Sequence, residues 1–485
     1  MAASTDLTKL TAREAVRLLD LGDVSPLELI DAAAARIAEV EPAVNALPTL
    51  CLDRAREAAK TLTERPGKGA PGWLAGLPVA IKDLMDVKGV RTTYASPIYA
   101  DHVPASSHPL VEKIEERGGL VIAKSNTPEF GAGGNTYNAV FGKTRNPWNT
   151  SLTPGGSSGG AAVALATGEV WLAHGSDHGG SLRGPAAHTS VVGLRPSPGR
   201  VTRGTSNNLF SPSSVEGPMA RNVPDIALFL DTMAGQCPRD PMSRPAPERS
   251  FVGTVDAALA DKRSWWPKRV AFSPDLGGVA PISKAVRGVI GDAVRNFETL
   301  GIPVEEACPE MGQIGEAFQI LRAMIFVVNH GERLKTHRDQ IKPDIIWNTE
   351  KGLALTPEQI AWAERERAAF YRRVAAFFET YDLLLLPVTV LPPYDVNKTR
   401  IDGVDGVKFD NYIAASATTS SITLTACPSL SLPAGFTEDG RPVGIQVVGK
   451  PHDDAGLLAA AALLEDLTGL ADKLPIDPRA GEPID

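Results

Sequence analysis

Cysteine is scarce in this 485-residue chain: Cys51, Cys237, Cys308 and Cys427 stand far apart and form no C-x-x-C pair. That spacing argues against a disulfide framework or a thiolate zinc site and suits free thiols in a reducing cytoplasm. Basic charge is also short, with 49 Lys and Arg against 57 Asp and Glu and a formal net charge of −8. Without a lysine or arginine block the chain lacks the footprint that nucleic acid requires. No apolar run reaches the roughly 20 residues that span a bilayer. The opening MAASTDLTKLTAREAV has no basic segment followed by an apolar one, as a secretory signal would. The expectation is a cytoplasmic protein, monomeric or homodimeric, with neither nucleic acid nor membrane as partner.

What is present is an ordinary globular composition, 43% hydrophobic and 22% charged, long enough for a large core. Two helices begin at Thr11 with Glu14 and at Ser25-Pro26 with Glu28, each a hydroxyl residue followed three places on by glutamate; Gly22 and Pro42 are read as their ends. A buried strand is expected over 76–84, with Lys82 embedded in it. A helix over 107–118 then leads into a strand over 120–124. The alanine-rich run after Ser158 predicts a tightly packed helix to Gly168, and residues 170–173 a central strand. Long helices are expected over 312–339 and 356–381, a strand over 383–386, and paired strands over 428–433 and 443–449. The segment 392–419 reads as loop. With no internal repeat or long linker, alternating helix and strand point to one α/β domain over 1–485.

Chemistry concentrates in 153–195, where two serine clusters are flanked by glycine: Gly155-Gly156-Ser157-Ser158-Gly159-Gly160 and Gly179-Gly180-Ser181. Glycine on both sides lets backbone approach a ligand closely. Two such serines brought together suggest a nucleophile and its proton relay. Gly155 to Gly159 also satisfies the G-x-S-x-G elbow of α/β-hydrolases, which would make Ser157 the nucleophile. That elbow needs a strand directly before it, and 147–154 reads as turn. Gly142-Lys143-Thr144 imitates the end of a phosphate-binding loop, but Tyr137 stands where its first glycine belongs.

These residues resemble the amidase signature family closely. The likeness runs through GLPVAIKD at 76–83, KTRNPW at 143–148, TPGGSSGG at 153–160, GSDHGGSLRGPA at 175–186, GLRPS at 193–197 and VEGPMAR at 215–221. It continues through SLSLPAGF at 429–436 and RPVGIQVVG at 441–449. The resemblance implies a large, mixed, twisted central β-sheet covered by helices on both faces. Its signature core would lie at about 70–225 and its variable substrate-pocket segments at about 310–415.

Carried over by position, the resemblance makes Ser181 the nucleophile, Ser157 a bridging serine preceded by a cis peptide bond, and Lys82 the base. A serine hydroxyl is a weak nucleophile and needs such a base, and burial in an apolar strand is what makes a neutral lysine amine accessible. The implied reaction is hydrolysis of an amide or carbamate C–N bond through a Ser181 acyl-enzyme, without metal or cofactor; urethane and ester cleavage lie within its range. The family's oxyanion hole falls on the backbone N–H groups of His178, Gly179, Gly180 and Ser181. The His178 side chain is open to two readings, a base in a serine–histidine pair or a wall of the pocket mouth. Asp177 and Arg183 are expected to hold the turn rigid. Leu209, Phe210, Ile325, Phe326 and Trp347 lie in segments that build the family's acyl pocket, and their character points to aryl or alkyl amides or carbamates. The same motifs occur in the glutamine-hydrolysing subunit of tRNA-dependent amidotransferases, a second reading that requires partner subunits. A degenerate binding protein is a third, disfavoured by the presence of all three triad positions.

Overall fold

The capping sequences near the start form the helices they predict. Thr11 and Glu14 make a reciprocal box that opens the helix Ala12–Leu21, and Ser25 and Glu28 do the same for Pro26–Val44. Pro42 does not end the second helix, contrary to the sequence expectation. It sits in the last turn, where its missing N–H removes a single bond, and the helix runs on until Asn45 turns left-handed with φ of 52°. The computed structural model describes residues 6–482 apart from 63, 64, 66 and 300.

Eleven strands among the described residues join in one sheet. They are β1 (Thr49–Leu50), β2 (Pro78–Lys82), β3 (Leu120–Ser125), β4 (Leu172–Asp177), β5 (Val192–Arg195), β6 (Val215–Ala220), β7 (Val270–Phe272), β8 (Val304–Glu306), β9 (Leu383–Pro387), β10 (Ser429–Phe436) and β11 (Pro442–Val448). Their spatial order is β1-β3-β2-β4-β6-β5-β10-β11-β9-β7-β8. β2 runs parallel to β3 and β4, and β7 parallel to β8 and β9; the other neighbours are antiparallel. The sheet is therefore mixed and, with helices on both faces, has the architecture the family resemblance implies.

Because β2 is flanked on both sides, all five of its residues are buried, Lys82 included. The alanine helix Gly159–Thr167 is buried along its whole length; its small side chains allow close approach to the sheet. Three segments differ from the sequence expectation. β4 begins two residues later than predicted and runs on through His174, Gly175, Ser176 and Asp177, all paired with β6. Its polar residues are tolerated because they find partners, as His174 Nε2 does in Glu216 at 2.9 Å. A helix at Pro343–Leu353 separates the two long ones, Ile314–His337 and Pro357–Thr380. The supposed loop over 392–419 holds two short strands and the start of the helix Ala417–Thr423. Among the described residues no helix is long and apolar enough to cross a membrane.

Candidate active site

Lys82 closes β2 with its ammonium end surrounded by hydroxyls. Nζ lies 2.7 Å from Ser157 Oγ, 2.9 Å from Ser158 Oγ and 3.0 Å from Ser176 Oγ. Two of these contacts come from the loop before the helix Gly159–Thr167 and the third from β4, so the lysine ties strand to loop. The Gly156–Ser157 peptide is cis. Burial disfavours the charged amine and pushes Lys82 down to about 7, against the weaker opposing pull of Glu216 and Asp177. The cluster is thus a fully buried amine, uncharged in a substantial fraction at neutral pH, within proton-transfer distance of a serine.

Ser158 stands in the first glycine-flanked cluster but has no role of its own in the sequence reading, and Ser176 has none either. Ser176 is separated from Lys82 by 94 residues, and only the pairing of β2 with β4 brings the two strands together. One local signal exists: a Cβ at Gly175 would fall 2.8 Å from Ser158 Oγ, so glycine beside Ser176 is needed to admit the loop.

Ser181 follows β4 in a tight turn whose shape Asp177 dictates. The Asp177 carboxylate accepts from the Gly180 N–H at 3.0 Å and the Leu182 N–H at 3.1 Å. It also pairs with Arg183 at 2.8 Å and Arg195 at 3.3 Å, all three side chains fully buried. Burial alone would raise the Asp177 carboxyl, but the two guanidiniums outweigh it and hold the group well below the usual carboxylate range. Arg183 extends the lock to the Thr419 carbonyl at 3.0 Å and Thr423 Oγ1 at 3.2 Å. Asp177 and Arg183 therefore hold the turn as the sequence suggested, with Arg195 as an unforeseen third member. Gly180 has φ of 118°, and a Cβ there would collide with Thr419 Oγ1. Thr419 Oγ1 in turn donates to the Gly179 carbonyl at 2.7 Å. The Ser181 carbonyl accepts from the Ser158 N–H at 3.2 Å, which joins the two glycine-flanked clusters.

The four backbone donors expected of an oxyanion hole are not equivalent. The Gly180 N–H is already committed to Asp177, which leaves those of His178, Gly179 and Ser181 as candidates. The His178 ring is half-buried in the cavity wall, with Nδ1 3.1 Å from Ser214 Oγ, its face 5.3 Å from Phe318, and a buried Nε2 without a protein partner. Burial, reinforced by Arg322 and Arg195, holds it well below the ordinary histidine value, so the imidazole is neutral near pH 7. The G-x-S-x-G elbow fails structurally: turn and coil, not a strand, precede Ser157.

A cavity opens at Ser181, with Gly155, Gly156, His178, Gly179 and Gly180 in its wall. Phe318 and Arg322 from one long helix, Asp344 from the helix Pro343–Leu353 and residues of the stretch 388–419, among them Val388, Leu391, Tyr394, Tyr412 and Ile413, also line it. None of the five pocket residues inferred from the sequence lines it. Phe210 is 77% exposed. Phe326 is one turn too far along its helix and packs instead with Ala132, Ile341 and Ile345. Ile325 adjoins it on a different face, Leu209 shares the loop of Phe210, and Trp347 is partly exposed on the unanticipated helix, edge-on to Tyr412. Residue type and approximate segment could not say which helical face meets the cavity.

The family model described as Amidase matches residues 28–458 of this chain. An acylamidase from Rhodococcus erythropolis is 32% identical over 474 residues, covering 96% of this chain and 97% of that protein. A glutamyl-tRNA(Gln) amidotransferase subunit from Thermodesulfovibrio yellowstonii is also 32% identical, over 96% of this chain and 98% of its own length. Among solved structures, a bacterial aryl acylamidase described as an amidase signature enzyme superposes with a TM-score of 0.86 at 30% identity, covering 98% of this chain and 99% of that one.

Proposed function

The chain belongs to the amidase signature family of amide-hydrolysing enzymes, and from that premise we propose that it acts as a stand-alone hydrolase of aryl or alkyl amides and carbamates through an acyl-enzyme on Ser181. The observation that carries the reading is the Lys82–Ser157 contact of 2.7 Å, with the lysine buried and held down to about 7. Neutral Lys82 takes the Ser157 proton as Ser157 takes that of Ser181, and Ser181 Oγ attacks the carbonyl carbon. The oxyanion is received by the N–H groups of His178, Gly179 and Ser181, donors whose loss individually costs about 10²–10³ in rate in comparable sites. The relay then runs in reverse: the proton reaches the departing nitrogen, which otherwise leaves poorly, the C–N bond breaks and the acyl group stays on Ser181. Water, deprotonated by the same relay, attacks the ester and releases the acid. Asp177, Arg183 and Arg195 serve this chemistry only by fixing the turn.

The apolar wall of Phe318, Val388, Leu391, Tyr394 and Ile413 supports aryl or alkyl groups beside the scissile bond. We propose likewise that residues 1–485 act as one domain, with the signature motifs of about 70–225 supplying the relay and the stretch of about 310–415 supplying most of the pocket. A second reading, a glutamine-hydrolysing component of an amidotransferase, is supported by a relative of equal identity. Purified protein given anilides, carbamates, esters and glutamine, with no other subunit present, separates the two. Turnover of anilides or carbamates supports the stand-alone hydrolase; ammonia from glutamine only in the presence of partner subunits supports the other. Trapping with a fluorophosphonate should place the adduct on Ser181, and an adduct on Ser157 overturns the assignment of roles.

A further inference from the structure

The cavity carries a positive charge that nothing in the proposed chemistry uses. Arg322 projects from the helix Ile314–His337, is 8% exposed, and lines the same cavity as Ser181. Its neighbours are aromatic: the guanidinium stands 4.5 Å from the Phe326 ring centre and 5.8 Å from that of Tyr412. Of its five N–H donors, one reaches the Tyr412 hydroxyl, at 2.9 Å, while Nε is buried without a partner. Among the described residues no carboxylate pairs with it. Asp344, the acid on the same wall, has a cation of its own in Lys342, at 3.5 Å.

Tyr412 sharpens the picture. Its oxygen accepts from Arg322 Nη2 at 2.9 Å and from Asn348 Nδ2 at 2.6 Å. With both lone pairs engaged, the phenol proton is left to donate, and Tyr412 also lines the cavity. A buried guanidinium and an outward-donating phenol side by side form a site for an acceptor with negative charge. Leaving a buried cation unpaired is unfavourable, and a planar carboxylate matches the guanidinium fork.

We propose that Arg322 and Tyr412 form a carboxylate-binding subsite, so that the preferred substrates are amides or carbamates whose apolar body ends in a carboxylate. This rests on the hydrolase reading above and names its substrate class. Phe318 and the bend over 388–391 that follows β9 would hold the apolar body between the subsite and Ser181.

Two matched pairs test it: adipic acid monoanilide against hexanoyl anilide, and N-acetyl-δ-aminovalerate against N-pentylacetamide, placing the carboxylate on the acyl or the amine side. In at least one pair the wild type should favour the carboxylate member by about tenfold or more in kcat/KM, mostly through KM. Arg322→Gln should bring that ratio close to one while changing turnover of the neutral member by less than about threefold, which also shows that the variant folds. Tyr412→Phe should lower the ratio partway. No preference in either pair, or an equal loss on both members in Arg322→Gln, overturns the subsite. If the wild type cleaves no member of either pair, the hydrolase reading is what has failed, and calorimetric binding of adipic acid monoanilide to the Ser181→Ala protein then decides the subsite. Binding abolished by the added Arg322→Gln supports it, and the absence of binding refutes it.

Discussion

Lys82 should make hydrolysis switch on with pH at about 7. Its burial behind Ser157, Ser158 and Ser176 lowers it from 10.5 to about 7. At about 1.36 kcal/mol per pH unit, that disfavours the ammonium by on the order of 5 kcal/mol. At pH 7 roughly half the enzyme would then hold a neutral amine, whereas an ordinary lysine would give about three in ten thousand. The rate constant kcat/KM for an anilide, measured from about pH 5 to 10, should rise about tenfold per unit on the acid side and level off above about 7. His178 should add no limb in that window, because its imidazole is already neutral there. Lys82→Arg keeps a cation that never deprotonates in a protein, so it should lose activity by about 10²–10⁴ at every pH. Stability carries the same signature. Between about 7 and 10.5 the unfolded chain holds a proton on Lys82 that the folded chain lacks, so this residue makes stability rise with pH across that window, and Lys82→Met should remove its share of the slope. A flat rate profile, or an acid limb that survives in Lys82→Arg, would refute the reasoning.

Asp177→Asn leaves Arg183 and Arg195 buried without their shared carboxylate, a loss on the order of 3–5 kcal/mol that urea denaturation should read directly. His178→Ala removes a ring that touches Ser214 and Phe318 but holds no titrating proton near pH 7. Its kcat/KM should stay within about tenfold of wild type with an unchanged pH midpoint, whereas loss of a general base would cost about 10²–10⁴.

The residues proposed for the relay were the most legible part of the site. Lys82, Ser157 and Ser181 lie in motifs where short-range chemistry fixes the residue types: glycines for a sharp turn, an apolar strand around one lysine. The distance between Lys82 and Ser157, by contrast, depends on β2, β3 and β4 lying side by side. The same limit explains Ser176 and Arg195, which look unremarkable in the sequence because their partners come from other strands. The pocket was least legible. Residues 392–419 carry no periodicity, yet Tyr394, Tyr412 and Thr419 line the cavity, because irregular backbone can be packed in place without any repeat to reveal it. Phe326 and Arg322 are one turn apart on the same helix, and only the packing of that helix decides that the arginine lines the cavity.

By itself the amino-acid sequence determined the alternation of helices and strands and the capped helix starts, since each depends on neighbours close in the chain, and through its family motifs it pointed to the three residues proposed for the relay. The tertiary structure alone decided which backbone donors the turn leaves available, how far Lys82 is driven from its ordinary proton affinity, and which side chains meet a substrate. Those properties arise from burial and from contacts between residues up to 263 positions apart, as Arg183 and Gln446 are, and no local pattern encodes them.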